Sequence, residues 1–418
     1  MAYFIGIDFG TSGVRAAAVD EAHRLQAFSR CEYVLQDPQT WRPALEAVLA
    51  ALPLTIRRQT RALAVDATSS TLVFGDSQGR IVLGPLLYND PCGETVLPQI
   101  EAVAPQGHVV VAATSSLAKL LWALAGDRPS LTDTYLLHQA DWLGFCLHGR
   151  LGFSDYHNAL KLGYDVERLR YPDWFHDLDL PVRLPAVQVP GSPVGLLLPD
   201  WQALGFPPSC TVCAGTTDSN AAFLASTGTP QPSVGTAVTS LGSTLVLKLL
   251  SERSVNDSRY GVYSHRLDVQ GQPRWLVSGA SNTGGSVLRQ FFDEETLLTL
   301  SAQINPEVES PFSYYPLPSP GERFPVNDPH LVPRLSPQPE DPADFLQGLL
   351  ESMARIEAKG YALLQVLGAS RVQRVYTTGG GAANATWTKI RSRILGMVPQ
   401  PPACTEAAYG CALLCSFL

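Results

Sequence analysis

One stretch near the start of the chain limits its possible folds more than any other. Residues 3–20 read Tyr-Phe-Ile-Gly-Ile-Asp-Phe-Gly-Thr-Ser-Gly-Val-Arg-Ala-Ala-Ala-Val-Asp. Two apolar runs joined by a Gly/Thr/Ser corner are typical of a β-hairpin. Gly10 and Gly13 can adopt positive φ and allow a ligand close to the backbone, and the free N–H groups of such a turn favour anions. We therefore expect a hairpin whose corner faces a ligand.

Asp8 ends the first apolar run, beside this corner. A carboxylate next to a phosphate is repelled unless a cation lies between them, so the position suggests a phosphate group carried with Mg²⁺. A tight turn with a capping aspartate explains the same residues, because a short Gly-rich motif is weak on its own. From this stretch alone, both interpretations stay open.

The overall composition excludes several classes of partner. The 418 residues carry a net charge of −8 without a cluster of lysines or arginines, which disfavours nucleic acids and anionic membranes. No run of 18 apolar residues is present, and the N-terminus enters the first strand directly, so we expect a cytoplasmic protein or a stromal organelle form. The eight cysteines suit buried free thiols better than a disulfide scaffold or a zinc site.

The opening pattern occurs a second time. Residues 237–247 again read apolar strand, glycine with two hydroxyl residues, apolar strand, with the corner at Gly242, Ser243 and Thr244. The composition breaks just before it, at Pro230-Gln231-Pro232, where we place the main domain boundary. One such hairpin in each half indicates an internal duplication whose two corners face one ligand.

Two further glycine segments follow in the second half. Gly284 and Gly285 form a turn before a short helix, and residues 375–378 form a strand that runs into Gly379-Gly380-Gly381. Asn384 and Trp387 come next, and their spacing places them on one helix face. Three glycines allow a flat group to lie against the backbone while Asn and Trp bond and stack on it, which an adenine would satisfy.

Polar groups follow two strands of the first half. The strand at residues 61–66 runs into Ala67-Thr68-Ser69-Ser70, whose hydroxyls suit a polyol, although Ser/Thr turns are common. Asp218 precedes an apparent helix at 219–224, where the macrodipole stabilises its charge, but any N-cap has the same placement. Asp155 lies in a loop and is a third polar candidate.

With these residues in hand, the chain resembles the FGGY carbohydrate kinases of the actin/hexokinase/Hsp70 ATPase superfamily over nearly its whole length. Five motifs in the family's order carry the resemblance: Asp8-Phe9-Gly10-Thr11-Ser12, Gly215-Thr216-Thr217-Asp218, Gly242-Ser243-Thr244, Gly321-Glu322-Arg323 and Gly379-Gly380-Gly381. Within the family the chain is similar to the short ketopentose-kinase branch of photosynthetic organisms. The segments behind that comparison are 87–89, 139–143, 155–161 and 381–384.

The resemblance implies an α/β fold of two RNase-H-like domains with an interdomain cleft. Residues 1–232, joined by a C-terminal helix at 403–418, would form the sugar side, and residues 233–402 the nucleotide side. It further implies that ATP, with Mg²⁺, phosphorylates a sugar hydroxyl.

The resemblance also assigns roles to individual residues. Asp218 would be the catalytic base, and Asp8 would hold Mg²⁺ beside the phosphates and the sugar. Ser69 would line the sugar pocket together with these two aspartates. The nucleotide and its phosphates would bind to Gly10, Thr11, Ser12, Gly13, Gly242, Ser243, Thr244, Gly284, Gly285, Gly380, Gly381, Asn384 and Trp387.

One segment departs from the family. Many xylulose and glycerol kinases have Trp-x-Asp-x-Arg in the sugar pocket, whereas this chain has Tyr88-Asn89-Asp90-Pro91-Cys92. The missing guanidinium removes a rigid bidentate partner for sugar hydroxyls. We therefore expect a ketopentose kinase with D-ribulose first and D-xylulose second, and no role is assigned to Asp90. A non-metabolic actin-like ATPase and a sugar sensor without turnover are the alternatives of another class.

Overall fold

In the computed structural model, which describes residues 2–126 and 128–416, the opening stretch is an antiparallel hairpin. Strand β1 (Tyr3–Gly10) pairs with β2 (Gly13–Asp20), and Gly10 lies opposite Gly13 across the corner. Gly13 has a φ of +143°, a conformation that side chains rarely adopt. The predicted hairpin is confirmed.

The chain divides into two compact units. Unit 1 comprises the residues up to Pro230 and the segment that begins at Glu406, and unit 2 comprises Gln231–Thr405.

The main sheet of unit 1 has the strand order β10-β11-β4-β1-β2-β3, with β12 paired to β4. β1, β2 and β3 form an antiparallel meander, and β4 runs parallel to β1. The strands of unit 1 are β1, β2, β3 (Leu25–Cys31), β4 (Thr60–Ala67), β5 (Leu72–Gly75), β6 (Ile81–Leu86), β7 (Tyr135–His138), β8 (Phe153–Asp155), β9 (Ala186–Gln188), β10 (Pro193–Leu196), β11 (Thr211–Cys213) and β12 (Thr216–Thr217).

Helices cover this sheet, and a smaller sheet of order β6-β5-β7 packs a second apolar cluster. The helices of unit 1 are α1 (Trp41–Ala50), α2 (Leu54–Arg57), α3 (Leu97–Glu101), α4 (Ser116–Leu124), α5 (Gln139–His148), α6 (Tyr156–Ala159), α7 (Asp173–His176), α8 (Pro199–Gln202), α9 (Asp218–Thr227) and α14 (Ala407–Cys415), with 3-10 turns at Pro38–Thr40, Cys92–Val96 and Leu160–Leu162. The Pro/Gly-rich segment 181–199 contains the short strands β9 and β10.

Glycines allow α14 to lie against the hairpin. A Cβ on Gly6 would be 2.0 Å from the Ala408 carbonyl oxygen, and one on Gly410 would be 1.8 Å from that of Ala221. The backbone of α14 therefore contacts both β1 and α9 directly. Residues 417 and 418, the end of the predicted terminal helix, lie outside the described residues.

Unit 2 also has a sheet built on an antiparallel hairpin. Its sheet has the order β15-β16-β14-β13-β17, in which β13 and β14 form the second hairpin and β17 runs parallel to β13. Its strands are β13 (Thr236–Leu241), β14 (Leu245–Ser251), β15 (Tyr263–Val269), β16 (Gln272–Ser281) and β17 (Arg374–Thr378), and its helices are α10 (Gly285–Leu288), α11 (Glu294–Gln303), α12 (Pro342–Val366) and α13 (Ala385–Leu395), with 3-10 turns at Ser258–Tyr260 and Gly380–Ala383.

The Pro-rich segment 310–342 covers the core of unit 2. Phe324 is buried in the core, and the Glu322 carboxylate accepts hydrogen bonds from the Ser281 hydroxyl (2.5 Å) and the Asn282 N–H (2.9 Å). This carboxylate therefore fastens the segment to the end of β16.

All eight cysteines are free thiols, as the sequence indicates. In the described ranges, no helix is both long and apolar enough to cross a lipid bilayer.

Candidate active site

Two strands and one helix of unit 1 carry aspartates to one edge of the sheet. Asp8 on β1 lies opposite Asp66 on the parallel strand β4, and Thr216 on β12 is also paired with Asp66. Asp218 follows two residues later, as the first residue of α9. Because parallel strands end at the same edge, the Asp8, Asp66 and Asp218 carboxyls are neighbours, and the charges of Asp8 and Asp218 raise the pKa of the buried Asp66.

One arginine faces this acidic group. Across the hairpin from Asp8, the Arg15 guanidinium lies 3.4 Å from the Asp8 carboxylate and 3.3 Å from that of Glu406, at the start of α14. It also donates to the Ser12 hydroxyl at 3.0 Å. Arg15 thereby links the glycine corner, the aspartate and the C-terminal segment.

Burial makes the carboxyl groups hard to ionise. It raises the pKa of Asp8 to about 6, with the Asp218 charge acting in the same direction and Arg15 opposing it. Asp66 is fully buried, and burial raises its pKa well above the usual range. Among the described residues, no nitrogen or hydroxyl group donates to either Asp66 oxygen. A site of this kind favours a proton or a cation between its acids.

The donor set of unit 1 fits a magnesium ion that arrives with phosphate. No cluster of three His, Cys, Asp or Glu side chains within the described ranges has the geometry of a metal site. Mg²⁺ is usually held by one or two carboxylates together with substrate phosphates and waters. Asp8 is one such carboxylate, beside the exposed hydroxyl residues Thr11 and Ser12.

Ser69 lies in the loop between β4 and β5, two residues beyond the end of β4. It is half-buried, and its hydroxyl has no hydrogen-bond partner among the described residues, whereas its neighbours on both sides are buried. The loop therefore leaves the Ser69 hydroxyl available to a ligand.

Asp155 is placed differently. It is 1% exposed, and its oxygens accept from the backbone N–H groups of His157 (2.8 Å) and Asn158 (3.0 Å) and from the Asn158 side chain. These bonds cap the first turn of α6. The expectation that Asp155 faces a polyol is therefore wrong, since its carboxyl is used inside unit 1.

In unit 2 the predicted glycine segments meet at one edge of the sheet. The Gly285 N–H donates to the Gly242 carbonyl at 2.9 Å, and the Ser286 hydroxyl donates to the Ser243 carbonyl at 2.7 Å. A Cβ on Gly284, whose φ is +144°, would lie 2.8 Å from the Ser243 carbonyl oxygen and from Thr244. The close approach requires glycine, so the residues at 284–285 form one wall of the 242–244 corner.

Gly379 joins the same corner. A Cβ there would be 2.6 Å from the Leu241 carbonyl oxygen, whereas one on Gly380 would have no neighbour within 4 Å. Gly379 and Gly380 are exposed, and Gly380 begins a 3-10 turn. The two loops therefore present an open stretch of backbone without side chains.

Trp387 and Asn384 lie next to this backbone and fix its position. Trp387 is 3% exposed, its indole N–H donates to the Leu350 carbonyl at 3.1 Å, and its ring would touch a Cβ on Gly381. The Asn384 side chain accepts from the Trp387 N–H at 2.9 Å and donates to the Ser301 hydroxyl at 2.8 Å. These placements argue against the predicted base-stacking and base-binding roles: Trp387 packs in the core and Asn384 caps α13.

The structure adds four residues that the sequence analysis did not single out: Asp66, Arg15, Glu406 and Arg289. Arg289 donates to the Ser243 hydroxyl at 2.8 Å and brings a positive charge to the second corner. A two-residue hairpin loop already sets Arg15 opposite Asp8, so that pair was detectable from register. Glu406 and Arg289 reach their partners through tertiary packing, for which the sequence has no local signal.

Comparisons with known proteins agree with this arrangement. Residues 237–418 match the C-terminal domain of the FGGY family of carbohydrate kinases. The chain is 25% identical over 422 residues to a xylulose kinase of Escherichia coli (strain K12), covering 94% of this chain and 85% of that protein. It is 26% identical over 424 residues to a xylulose kinase of Klebsiella pneumoniae, with the same coverage.

Solved structures share the fold across both units. A xyloylose kinase from Brucella ovis superposes with a TM-score of 0.83 at 20% identity, covering 99% of this chain and 90% of that one. A Plasmodium falciparum glycerol kinase with ADP has a TM-score of 0.83 at 16% identity, covering 99% and 89%. The predicted two-domain α/β fold is confirmed, and residues 237–418 are similar to the C-terminal domain of the FGGY family of carbohydrate kinases.

Proposed function

We propose that the protein transfers the γ-phosphoryl group of ATP to a hydroxyl of a ketopentose, with D-ribulose preferred and D-ribulose 5-phosphate and ADP as products. The observation that carries this proposal is the meeting of Asp8 and Asp218 at one edge of the unit 1 sheet, beside the unbonded Ser69 hydroxyl. Unit 2 contributes a glycine corner suited to phosphates, with the Arg289 guanidinium on its Ser243 hydroxyl. Phosphoryl transfer to an alcohol needs a positioned acceptor hydroxyl and stabilisation of the charge on the phosphoryl oxygens.

Asp218 acts as the general base in this proposal. The acceptor hydroxyl loses its proton as it attacks phosphorus, and a carboxylate within hydrogen-bond reach both orients the hydroxyl and accepts the proton. Asp218 is half-buried at the start of α9, where the Ser219 N–H donates to one oxygen at 2.7 Å. The helix dipole at this position favours the ionised carboxylate that a general base requires.

Asp8 would hold Mg²⁺ together with the nucleotide phosphates. The ion, when bound, supplies positive charge to the phosphoryl oxygens. Arg15 holds the Asp8 carboxylate in place and adds a second positive charge at the corner formed by Gly10, Thr11, Ser12 and Gly13. Asp8 thus acts on the phosphates, and Asp218 acts on the sugar.

On the nucleotide side, we assign the phosphates to Gly242, Ser243 and Thr244 with Gly284 and Gly285. Backbone N–H groups at a corner without Cβ atoms suit phosphate oxygens. The exposed Gly379 and Gly380 would lie against the nucleoside. The buried Trp387 and the half-buried Asn384 take no direct part and instead fix the position of this turn.

D-Xylulose is the second candidate. The curated relatives with the longest matches are xylulose kinases. The segment Tyr88-Asn89-Asp90 favours D-ribulose, because it lacks the Trp and Arg seen in many xylulose and glycerol kinases. The Asp90 carboxylate accepts from the Cys92 N–H at 3.0 Å, so it shapes the loop.

A substrate panel tests the proposal. The purified protein is assayed with ATP and Mg²⁺ against D-ribulose, D-xylulose, other ketoses, polyols and glycerol, with ADP release measured alongside sugar phosphate by mass spectrometry. We expect kcat/KM to be highest for D-ribulose, with one phosphate transferred per ADP. ADP release without sugar phosphate would contradict the proposal and favour an ATPase of another kind. A higher kcat/KM with D-xylulose than with D-ribulose would change the assigned substrate and leave the proposed reaction unchanged.

A further inference from the structure

A buried lysine lies between two loops of unit 1 without an acidic partner. Lys119 on α4 is 0% exposed, and no carboxylate in the described ranges lies within salt-bridge distance of it. Its ammonium donates to the carbonyl oxygens of Ser70 (2.8 Å) and Leu87. Burial lowers the pKa of Lys119 to about 8. An unpaired charge is costly to bury, so its retention calls for a specific role.

The two carbonyls belong to different loops. Ser70 lies in the loop of residues 68–71 between β4 and β5, with a φ of +64°, and Leu87 begins the loop of residues 87–90 after β6. A φ of this kind is strained for serine and persists only where the surroundings impose it. Lys119 therefore holds the strained loop of residues 68–71 and joins it to the loop of residues 87–90.

Further hydrogen bonds lock the same two loops. The Thr71 hydroxyl lies 2.7 Å from that of Thr68 and accepts from the Tyr88 N–H at 3.0 Å. Gln139 donates its N–H to the Thr71 carbonyl at 2.9 Å and accepts from the Thr68 hydroxyl at 3.2 Å. Every residue of the 68–71 loop except Ser69 is thus fastened through backbone or side chain.

Three side chains on these two loops are at least partly exposed. Ser69 is half-buried, Tyr88 is 40% exposed, and Asn89 is exposed. In the part of the chain that the structure describes, none of these three side chains has a hydrogen-bond partner. A hydroxyl, a phenol and an amide held on two locked loops are the groups that recognise a polyhydroxylated ligand.

We propose that Lys119 is a positioning residue for the sugar: it fixes the loops 68–71 and 87–90 so that Ser69, Tyr88 and Asn89 bind the acceptor's hydroxyls. This inference rests on the proposed function. Lys119 touches no substrate and acts only through the Ser70 and Leu87 carbonyls. It sets the affinity for the ketose and its selectivity among ketoses, and it leaves nucleotide binding unchanged.

Kinetics of Lys119→Met test the inference. This variant keeps the length of the side chain and removes its N–H donors. We expect the KM for the ketose to rise at least tenfold and the ratio of kcat/KM between D-ribulose and D-xylulose to change, while the KM for ATP stays within twofold of wild type. Lys359→Met, at an exposed lysine of α12, is the matched control.

A second pair of variants avoids the risk that Lys119→Met does not fold. Thr71→Val keeps the shape of a buried side chain but removes the oxygen that accepts from the Tyr88 N–H, whereas Thr71→Ser retains it. Thr71→Val is expected to raise the ketose KM several-fold, and Thr71→Ser to restore it.

Three results would overturn the inference. They are an unchanged ketose KM in both Lys119→Met and Thr71→Val, an ATP KM that rises together with the ketose KM, and a loss of kcat that only follows the folded fraction in thermal melts. If wild-type protein phosphorylates no ketose, the proposed function fails first and the inference falls with it. That outcome is recognised before any variant is measured.

Discussion

The two glycine-cornered hairpins share a backbone design and differ in chemistry. In unit 1, Asp8 lies two residues before Gly10 and opposite Arg15; in unit 2, the equivalent position before Gly242 is Ser240. The neighbouring parallel strands repeat the contrast, because Asp8 is paired with Asp66 and Ser240 with Thr378. One hairpin therefore presents charge where the other presents hydroxyls, and a duplicated fold supplies two different halves of a reaction.

The buried acids differ in the same way. In unit 2, the Glu357 carboxylate pairs with Arg391 through two hydrogen bonds of 2.6 and 2.7 Å, and Arg391 also donates to the Thr377 hydroxyl. In unit 1, Asp66 and Asp155 are buried with no basic side chain in salt-bridge contact in the described ranges. Buried acids without a base destabilise a fold, and they are concentrated at functional sites. The fully buried Asp66 therefore lowers the stability of unit 1 at the sheet edge that carries Asp8.

The largest effect is expected at Asp218. Asp218→Asn keeps the shape of the side chain and removes its basicity, so kcat should fall by about 10²–10⁴-fold. Folding and ATP affinity should stay near wild type, because the residue neither lies in the core nor faces the phosphates. Initial rates at saturating ATP and ketose measure it. Near-normal turnover would mean that Asp218 only begins α9.

The variant Arg391→Met tests the buried ion pair between Glu357 and Arg391 in unit 2. Removing one partner of a buried ion pair leaves Glu357 uncompensated, and we expect the free energy of unfolding to fall by roughly 3–5 kcal/mol. Urea denaturation measures the change. The double variant Arg391→Met/Glu357→Gln should recover much of the loss. A single variant as stable as wild type would remove the contrast between the units.

Asp155→Asn tests an uncompensated acid of unit 1 that lies away from the phosphates. Burial, assisted by Asp141, raises the pKa of Asp155 to about 7 from 3.8. Between these values the native protein holds a proton that the unfolded chain has lost, so this group's contribution to stability falls as pH rises from about 4 to 7. The variant should therefore gain stability relative to wild type at pH 8, by at most about 4 kcal/mol, and less at pH 5.

Urea denaturation of both proteins at the two pH values checks this, with Asp200→Asn as a control at an exposed aspartate. A gain that is the same at pH 5 and pH 8 would contradict the raised pKa.

The sequence was sufficient for whatever depends on local pattern. The two hairpins follow from apolar periodicity and from glycines at required turns. The shared role of the glycine segments of unit 2 was implied by the resemblance to the kinases, not by local pattern. The burial of Trp387 and Asp155 could not be predicted from the sequence. A tryptophan or an aspartate gives the same local pattern whether its side chain lies in a core or in a pocket. Glu406 is 391 residues from Arg15, and no local pattern predicts a contact at that separation.

The central claim is that Asp218 of unit 1 serves the sugar and that the glycine corner at residues 242–244 of unit 2 serves the nucleotide. The most direct test is the dissociation constant of a non-hydrolysable ATP analogue with Mg²⁺, measured by calorimetry for Asp218→Asn and Gly242→Ala. A Cβ on Gly242 has no neighbour closer than 3.7 Å, so the variant should fold normally and place a methyl group where phosphate would bind. The account predicts binding within twofold of wild type for Asp218→Asn and at least tenfold weaker for Gly242→Ala, about 1.4 kcal/mol. Unchanged binding by Gly242→Ala, or a loss of binding in Asp218→Asn, would contradict it.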